Sequence, residues 1–514
     1  MTDVPRPTQV RSVWLDEIVA LLGVPGAGVT RPASAIQVSG ISLSDAGIRP
    51  GDLFAGVPGS HRHGASFAPA AVARGAVAVL TDAAGASFVP AGVPVLVVAD
   101  VRGALGPVAA FIYGNPSRDL TVVGVTGTSG KTTTTYFIRA GLAAAGINSG
   151  LIGTVATMIG DEAIKTGFTT PEAPDVQALL ALMRERDVQV VAAEVSSHAL
   201  EFGRAEGVEF AVGAFTNLSQ DHLDLHGSME EYFAAKARLF DGRSRKQVIV
   251  VDDEWGRRLA EQIGEDAITI STDGDAAMWQ AVDIAVDGGG RTSFRVLGPG
   301  VEGLGTEFVA GCAVPGRYNV ANALLALVVL DAIGVPFAVS VPAVAAATVP
   351  GRMETVTAGQ RFLAVVDYSH KPAAVAGAIA ALRPLTAGSL IVVLGCGGDR
   401  DRAKRPVMGE IAARGAEMFI VTDDNPRSED PAAIRRAMLD GALAVPAAER
   451  GEVREVGDRA EAIAAAVAAA APGDTVLIAG KGHETGQEVN GVVTPFDDRV
   501  VLRLAISAAL ENHS

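Results

Sequence analysis

The sequence is short of cysteine, aromatics and positive charge. Two cysteines in 514 residues, Cys312 and Cys396, exclude a disulfide framework, and their spacing excludes a CxxC metal pair. Free buried thiols in a reducing compartment are the plain reading. Lys and Arg number 42 against 58 Asp and Glu, a formal charge of −16. Such a chain is a poor non-specific nucleic-acid binder, because that function needs a basic face to displace counterions. Anions can bind only where local loops and a few cations overcome the global field. The longest purely apolar run, Ala462 to Ala471, falls far short of the ~18–20 residues that span a bilayer. Near the N-terminus Asp16 and Glu17 break the first apolar stretch, so no targeting segment is expected there. Gly (59) and Pro (26) stay below the ~25–30% share that suggests disorder. What is left is a globular, cytoplasmic protein with room for about three domains.

Punctuation along the chain predicts three α/β domains, 1–118, 119–350 and 351–514. Tyr113-Gly-Asn-Pro-Ser-Arg118 and Val349-Pro-Gly-Arg-Met353 read as linkers, since Asn-Pro and Pro-Gly disfavour regular structure. The central block opens with a strand over Leu120–Val125 and a helix over Lys131–Ala145 closed by Gly146. Further strands are expected at Val188–Ala193, Phe210–Phe215 and Gln247–Val251, and a helix at Asn319–Ile333. In the last block strands at Phe362–Val366, Ser389–Leu394, Met418–Val421 and Thr475–Ala479 alternate with helical patterns at 372–382, 405–414, 431–443 and 459–470. That is the rhythm of a mostly parallel, helix-covered sheet. Each of these strands runs into a polar or Gly-rich tetrad: Asp367-Tyr-Ser-His370, Gly395-Cys-Gly-Gly398, Asp424-Asn-Pro-Arg427 and Gly480-Lys-Gly-His483. Ligands in open α/β sheets bind beyond such strand ends.

The central block carries a phosphate loop, Gly127-Thr-Ser-Gly-Lys-Thr-Thr133, between an apolar strand and a helix. Its glycines let several N–H groups converge on one anion. Lys131 adds a cation, Thr132 a hydroxyl for Mg²⁺, and the helix its N-terminal dipole. The strict GxxxxGK[ST] pattern would need Gly at position 125, where Val125 stands.

This variant of the loop resembles that of the Mur ligases, ATP-dependent amino-acid ligases of peptidoglycan precursor synthesis. Glu194-Val-Ser-Ser-His198, Thr216-Asn-Leu-Ser-Gln-Asp-His222, Ala234-Ala-Lys236, Gly316-Arg-Tyr-Asn-Val-Ala-Asn322 and Gly351-Arg-Met353 fit the same family, over nearly the whole chain. Gly398-Asp-Arg-Asp401, Asp424–Arg427 and Gly480–Glu484 resemble members that add diaminopimelate to UDP-N-acetylmuramoyl-L-alanyl-D-glutamate. The fold so implied has a small α/β UDP-binding domain, a central P-loop ATPase-type parallel sheet and a C-terminal Rossmann-like domain. The reaction so implied phosphorylates the D-Glu side-chain carboxylate with ATP and lets an amine displace the phosphate. Cations and metals stabilise such charge build-up.

By that resemblance Lys131, Glu194, His222 and Lys236 are catalytic. Gly127, Thr128, Ser129, Gly130, Lys131, Thr132, Thr133, Asn322, Arg352 and Asp367 would bind ATP. Thr132, Glu194, His222 and Lys236, the last as a carbamate, would hold Mg²⁺. Taken alone, Lys236 is an ordinary helix lysine and Glu194 a strand-end carboxylate. Asn322 lies on an apolar helix, where an amide is costly unless paired; adenine recognition would supply a reason, and Asn319 offers a plain capping alternative. Leu43, Ser44, Thr169, Thr170, Ser196 and Arg204 fall on UDP-substrate positions, and the loop Gly59-Ser-His-Arg-His-Gly64 resembles a uridine-binding region. Two departures stand out: Ser44-Asp45-Ala46 replaces a common Asp-Ser-Arg, and Phe202 replaces a Gln found in another member.

Arg400, Asp424, Asn425, Pro426, Arg427, Gly480 and Glu484 would bind diaminopimelate. Arg427 offers a planar fork for the distal carboxylate and repels a lysine ammonium that lacks one. Alone, Asp-Asn-Pro-Arg is as readily a turn. Competing readings are a lysine-adding or folate-polyglutamylating relative, an ATP-binding module without chemistry, and a zinc hydrolase on His222 and His226. Arg427 disfavours lysine, and the full first block disfavours folate. The joint presence of Lys131, Glu194, His222 and Lys236 disfavours a mere binding module. Zinc sites take three or four ligands, and no third one is spaced suitably. The substrates are small molecules, and a monomer is expected.

Overall fold

The computed structural model describes residues 4–23, 35–59, 61–164, 166–274, 276–287, 290–301 and 305–512. Ser60, in the loop likened to a uridine site, lies outside the described residues. The chain divides into two compact units, one formed by 1–280 with 324–343 and the other by 281–323 with 344–514.

The first unit begins with a four-stranded parallel sheet, Gly40–Ser42, Asp52–Gly56, Ala78–Thr81 and Val95–Val97. Its core, including Leu53, Leu80, Leu105 and Val108, also takes in Ala173, Ala178 and Ala181 of the helix Ala173–Glu185. A buried pair, Arg6 Nη1 to Asp52 Oδ2 at 2.7 Å, ties the N-terminal segment to this sheet. The larger sheet of this unit runs through parallel strands in the order Ser149–Ile152, Val190–Glu194, Thr121–Thr126, Phe210–Phe215, Ser244–Val250 and Ala267–Ser271. Val190–Glu194, Phe210–Phe215 and the core of Thr121–Thr126 are largely apolar because helices cover both faces of a parallel sheet. The strands expected from sequence are present within a few residues. Ser149–Ile152 was not anticipated: a Ser-Gly-Leu-Ile run carries little strand signal.

Register fixes the chemistry at one edge. Glu194 pairs with Val125 and Phe215 with Thr126. The loop from Gly127, the Glu194 carboxylate and Thr216-Asn217 therefore emerge together at the carboxyl ends of three neighbouring strands, where α/β sheets bind ligands.

The second unit holds a sheet in the order Glu354–Thr355, Leu363–Asp367, Thr475–Ala479, Leu390–Leu394, Met418–Val421 and Glu452–Glu455, parallel except for the first strand. Helices Pro372–Leu382, Lys404–Gly415, Pro431–Ala444 and Arg459–Ala469 agree closely with the periodic segments. Asp367 and Leu394 both pair with Ala479, and Leu394 pairs with Val421, so the four tetrads share one edge. A fully buried Arg459–Asp498 pair, 2.7 and 2.8 Å, stands behind it, and Arg459 also donates to the Ala479 and Asp423 carbonyls. Burying both charges is tolerable only with such complete pairing.

Candidate active site

Two glycines shape the phosphate loop. Gly127 has φ +145°, and a Cβ there would lie 1.8 Å from Thr216 Oγ1; Gly130 has φ +88° and precedes the helix Lys131–Ala144. Positive φ and the close Thr216 both demand glycine. Thr216 donates to the Ser129 carbonyl at 2.6 Å. Asn217 brackets the loop, accepting from Ser129 N at 3.1 Å through Oδ1 and from Thr128 N at 2.9 Å through its backbone carbonyl. Thr128 Oγ1 lies 3.1 Å from the Tyr232 hydroxyl. Lys131 Nζ folds back to the carbonyls of Gly127 (2.8 Å) and Thr128 (3.0 Å). Thr132 and Thr133 follow, both buried, in the first helical turn.

Lys236 arrives from the helix Met229–Ala237. Its side chain is 1% exposed, its Nζ donates to the Gly127 carbonyl at 2.8 Å, and it lies 4.8 Å from the centre of the Tyr232 ring. Two lysine ammoniums thus bond to one loop carbonyl. Ordinary sequence reasoning gave this residue nothing special; the fold brings it to the loop across more than a hundred residues of chain.

Glu194 is equally buried. Its two oxygens accept from Thr154 N and Thr154 Oγ1, each at 2.9 Å. Gly153 is needed beside it, since a Cβ there would stand 2.4 Å from Glu194 Oε1. Thr154 Oγ1 meets Thr169 Oγ1 at 3.0 Å; Thr170 Oγ1 donates to the Glu194 carbonyl at 2.7 Å and accepts from Ser196 N at 3.2 Å. Arg204 Nη1 reaches the Thr170 carbonyl at 3.4 Å, and Nη2 pairs with Glu172 at 2.9 Å. Thr169, Thr170, Ser196 and Arg204 therefore form one polar group with Glu194. Leu43 packs against the core of the first sheet and Ser44 bonds to Ser42, so their partners lie in that sheet's own loop.

His222 has φ +52° and holds Nε2 3.3 Å from Asp221 Oδ2. His198 packs edge-on against it at 4.7 Å, and His226 stacks on Tyr232 at 5.0 Å. Burial, reinforced by neighbouring cations, lowers the pKa of His198; burial is also the main cause lowering that of His226. Among the described residues no three His, Cys, Asp or Glu side chains converge as a metal-binding group. The Thr132 hydroxyl and Glu194 carboxylate are oxygen donors of the kind Mg²⁺ takes, a cation that keeps several waters and needs only one or two carboxylates.

In the second unit, Asn322 Nδ2 donates to Asn319 Oδ1 at 3.0 Å and Asn319 Nδ2 to the Pro315 carbonyl at 2.7 Å. The amide on the apolar helix is thus paired within the chain. Asp367 accepts from Met353 N (2.7 Å) and Ser369 N (2.9 Å) and bonds to the Ser369 hydroxyl. The Arg352 guanidinium stacks 4.5 Å over Tyr368, and its Nε is buried without an acceptor. His370 and His483 flank the same tyrosine at 4.6 and 4.8 Å; burial lowers each pKa to about 4.

The four tetrads meet at one end of the sheet. Arg427, at φ +52°, donates from Nη1 to the Gly398 carbonyl at 2.7 Å and holds Nε 3.5 Å from Glu488. Its backbone bridges Val489 of the hairpin Gly486–Pro495. Asn425 binds Glu484 (2.7 Å), Lys481 Nζ (3.0 Å) and Glu488 N (2.9 Å). Burial, with nearby Asp424, raises the Glu484 pKa. A Cβ at Gly480 would press on Asp424 Oδ2 at 2.6 Å, and one at Gly398 on the Pro426 carbonyl at 1.9 Å. Asp424, Asn425, Pro426, Arg427, Gly480 and Glu484 are thus brought together. Arg400 is exposed, with Nη1 3.5 Å from the Asp399 carbonyl. Thr154, Glu172 and Glu429 carry no motif signal in the sequence. Glu429 ties Asp399 N (2.6 Å) and Arg405 (2.8 Å) to the Arg427 loop. Each of the three depends on pairings between loops far apart in the chain.

Comparison with known proteins adds independent findings. Residues 37–113 match the model of the Mur ligase family catalytic domain, 125–330 the Mur ligase middle domain and 351–482 the Mur ligase glutamate ligase domain. The UDP-N-acetylmuramoyl-L-alanyl-D-glutamate–2,6-diaminopimelate ligase of Streptomyces avermitilis is 52% identical over 506 residues, 98% of each chain. That of Corynebacterium glutamicum is 50% identical over 95% of each. A solved structure of a ligase of that name superposes with a TM-score of 0.71 at 30% identity, covering 98% of this chain and 100% of its own.

Proposed function

We propose, on the premise that the chain belongs to the Mur ligase family, a role for each part of the site in one reaction. The protein is an ATP-dependent ligase that adds diaminopimelate to the D-Glu side-chain carboxylate of UDP-N-acetylmuramoyl-L-alanyl-D-glutamate in peptidoglycan precursor synthesis. The carrying observation is the seating of Lys236 Nζ on the Gly127 carbonyl beside Lys131. A phosphate loop that only binds nucleotide has no need of a second buried lysine.

In this reading residues 1–118 bind the UDP moiety, 119–350 bind ATP and 351–514 bind the amino acid. Lys131 exchanges its two loop carbonyls for β- and γ-phosphate oxygens. Backbone N–H groups of Gly127 to Thr133 and the helix N-terminus take the remaining phosphate charge. Asn322, Arg352 and Asp367 contact the nucleoside and its phosphates. Thr132, Glu194 and His222 hold Mg²⁺, with Lys236 as its carbamate. Mg²⁺ supplies neutralisation of charge on the transferring phosphoryl group. N-carboxylation of Lys236 leaves one N–H to keep the Gly127 bond. Thr154 fixes the Glu194 carboxylate through one hydrogen bond to each oxygen.

Thr169, Thr170, Ser196 and Arg204 place the D-Glu carboxylate, with Leu43 and Ser44 toward uridine. Phosphorylation gives an acyl phosphate, and an amine of diaminopimelate displaces phosphate. Arg427 grips the distal carboxylate, aided by Asn425 and Gly480, while Asp424 and Glu484 face the distal ammonium and Pro426 and Arg400 border the pocket. The meso isomer is the proposed substrate. Among the described residues no helix is long and apolar enough to cross a membrane, and a cytoplasmic monomer is proposed. Mass spectrometry of the product from ATP, the UDP-dipeptide and meso-diaminopimelate tests the reading. It predicts one new amide per ADP; hydrolysis of ATP without amide formation refutes it.

A further inference from the structure

Arg204 sits in an unusual environment for a substrate-binding arginine. Its guanidinium carbon lies 4.4 Å from the centre of the Phe168 ring and 5.9 Å from that of Phe202. Phe202 is shared with a second cation, Arg102, at 5.3 Å. Both arginines pair with the one carboxylate of Glu172, Arg204 at 2.9 Å and Arg102 at 3.4 Å. Arg102 also approaches the Phe202 carbonyl at 3.5 Å. The result is a stack of two aromatic rings and two guanidiniums pinned by one acid.

Two features separate this cluster from ordinary packing. Phe168 is 49% exposed, a poor place for a large apolar ring unless it serves a neighbour or a ligand. Arg204 Nε is buried and lacks an acceptor, although a guanidinium donor left unpaired is costly. An arginine whose plane is set by rings and a carboxylate, with one donor unspent, is preorganised for an anion.

We infer that Phe168 and Phe202 are positioning residues that orient Arg204 toward an anionic group of the UDP-linked substrate. The inference rests on the functional reading above and names the device by which this chain fixes that substrate. Arginine stacks on aromatic faces, so a ring at position 202 holds the guanidinium plane without using any of its five N–H donors. A side-chain amide there would consume one. Glu172 holds Nη2 and the Thr170 carbonyl lies 3.4 Å from Nη1, so the guanidinium plane is fixed at two of its nitrogens. The exposed Phe168 covers the outer face of the guanidinium and excludes water from it.

The test compares the wild type with Phe168→Ala, Phe168→Tyr and Phe202→Gln. Steady-state constants are measured for the UDP-dipeptide and for ATP, and Kd for the UDP-dipeptide is measured by calorimetry. The inference predicts that Phe168→Ala raises KM and Kd for the UDP-dipeptide about three- to tenfold, with kcat within about twofold and KM for ATP unchanged. Phe168→Tyr keeps the wild-type values, and Phe202→Gln raises the same KM. A purely structural role would shift both substrates together or neither, and either result overturns the inference. Wild-type binding of the UDP-dipeptide without turnover would refute the ligase reading, while the calorimetric arm would still decide the stack.

Discussion

Lys236 Nζ and the carbonyl oxygen of Gly127 are joined by a 2.8 Å hydrogen bond. A lysine near the end of one helix is thereby part of a phosphate loop that precedes another. The same carbonyl accepts from Lys131, and the loop is braced from its far side by Thr216 and Asn217.

Gly127→Ala tests how tightly the loop is built. The new Cβ would stand 1.8 Å from Thr216 Oγ1, at a φ that L side chains rarely adopt. The expected result is a loss of ATP affinity of at least about tenfold by titration calorimetry, since the N–H groups no longer converge on phosphate. The melting temperature should fall as well, because Gly127 is buried against Thr216. Unchanged ATP affinity would contradict the geometry.

Lys236→Ala tests the proposed carbamate. Removing an anion that helps hold the metal should lower kcat by about 10²-fold or more, with the UDP-dipeptide still bound. Added short carboxylates should restore part of the rate, because they can occupy the vacated position. Normal activity, or a loss that no carboxylate rescues, would argue that the lysine serves only the Gly127 carbonyl.

The two domain sheets were legible in the sequence because a parallel sheet buried on both faces writes its strands as unbroken Val/Ile/Ala runs. Leu390–Leu394 and Thr475–Ala479 are nearly unbroken aliphatic runs, and Thr121–Thr126 is one interrupted only by Gly124. The exposed, charged edge strand Glu452–Glu455 and the hairpin Gly486–Pro495 lack that pattern and were not anticipated. Motif residues such as Lys131 and Arg427 could be named from their neighbours in sequence. Thr154, Glu172 and Glu429 could not, because each acts through strand register or a loop crossing. Phe202 was visible only as a departure; what it stacks on required the fold.

Arg427→Ala addresses amino-acid choice. The Arg427 backbone is tied to the hairpin by Arg427 N to the Glu488 carbonyl and Asn490 N to the Arg427 carbonyl, so removing the guanidinium should leave the loop in place and delete the proposed carboxylate grip. The expected outcome is a rise in KM for diaminopimelate of about 10²-fold, as for a lost bidentate charge pair, with discrimination against lysine abolished. Unchanged kinetics with diaminopimelate would remove Arg427 from the pocket.

Acid should weaken the second unit through His370 and His483. Each has its pKa lowered to about 4 by burial, against an ordinary value of 6.5. The unfolded chain therefore binds protons first as pH falls, and stability declines between about 6.5 and 4. The loss amounts to at most about 3 kcal/mol for each residue by the end of that window. Thermal melts from pH 7.5 to 4.5 should show it, and His483→Phe should flatten the slope. An unflattened slope would place the acid sensitivity elsewhere.

The most direct test of the central claim is phosphate release from ATP in the presence of the UDP-dipeptide, with meso-diaminopimelate, LL-diaminopimelate or lysine supplied separately. The account predicts release that depends on meso-diaminopimelate and is accompanied by a new amide. Release with lysine alone, or with none of the three, would contradict it.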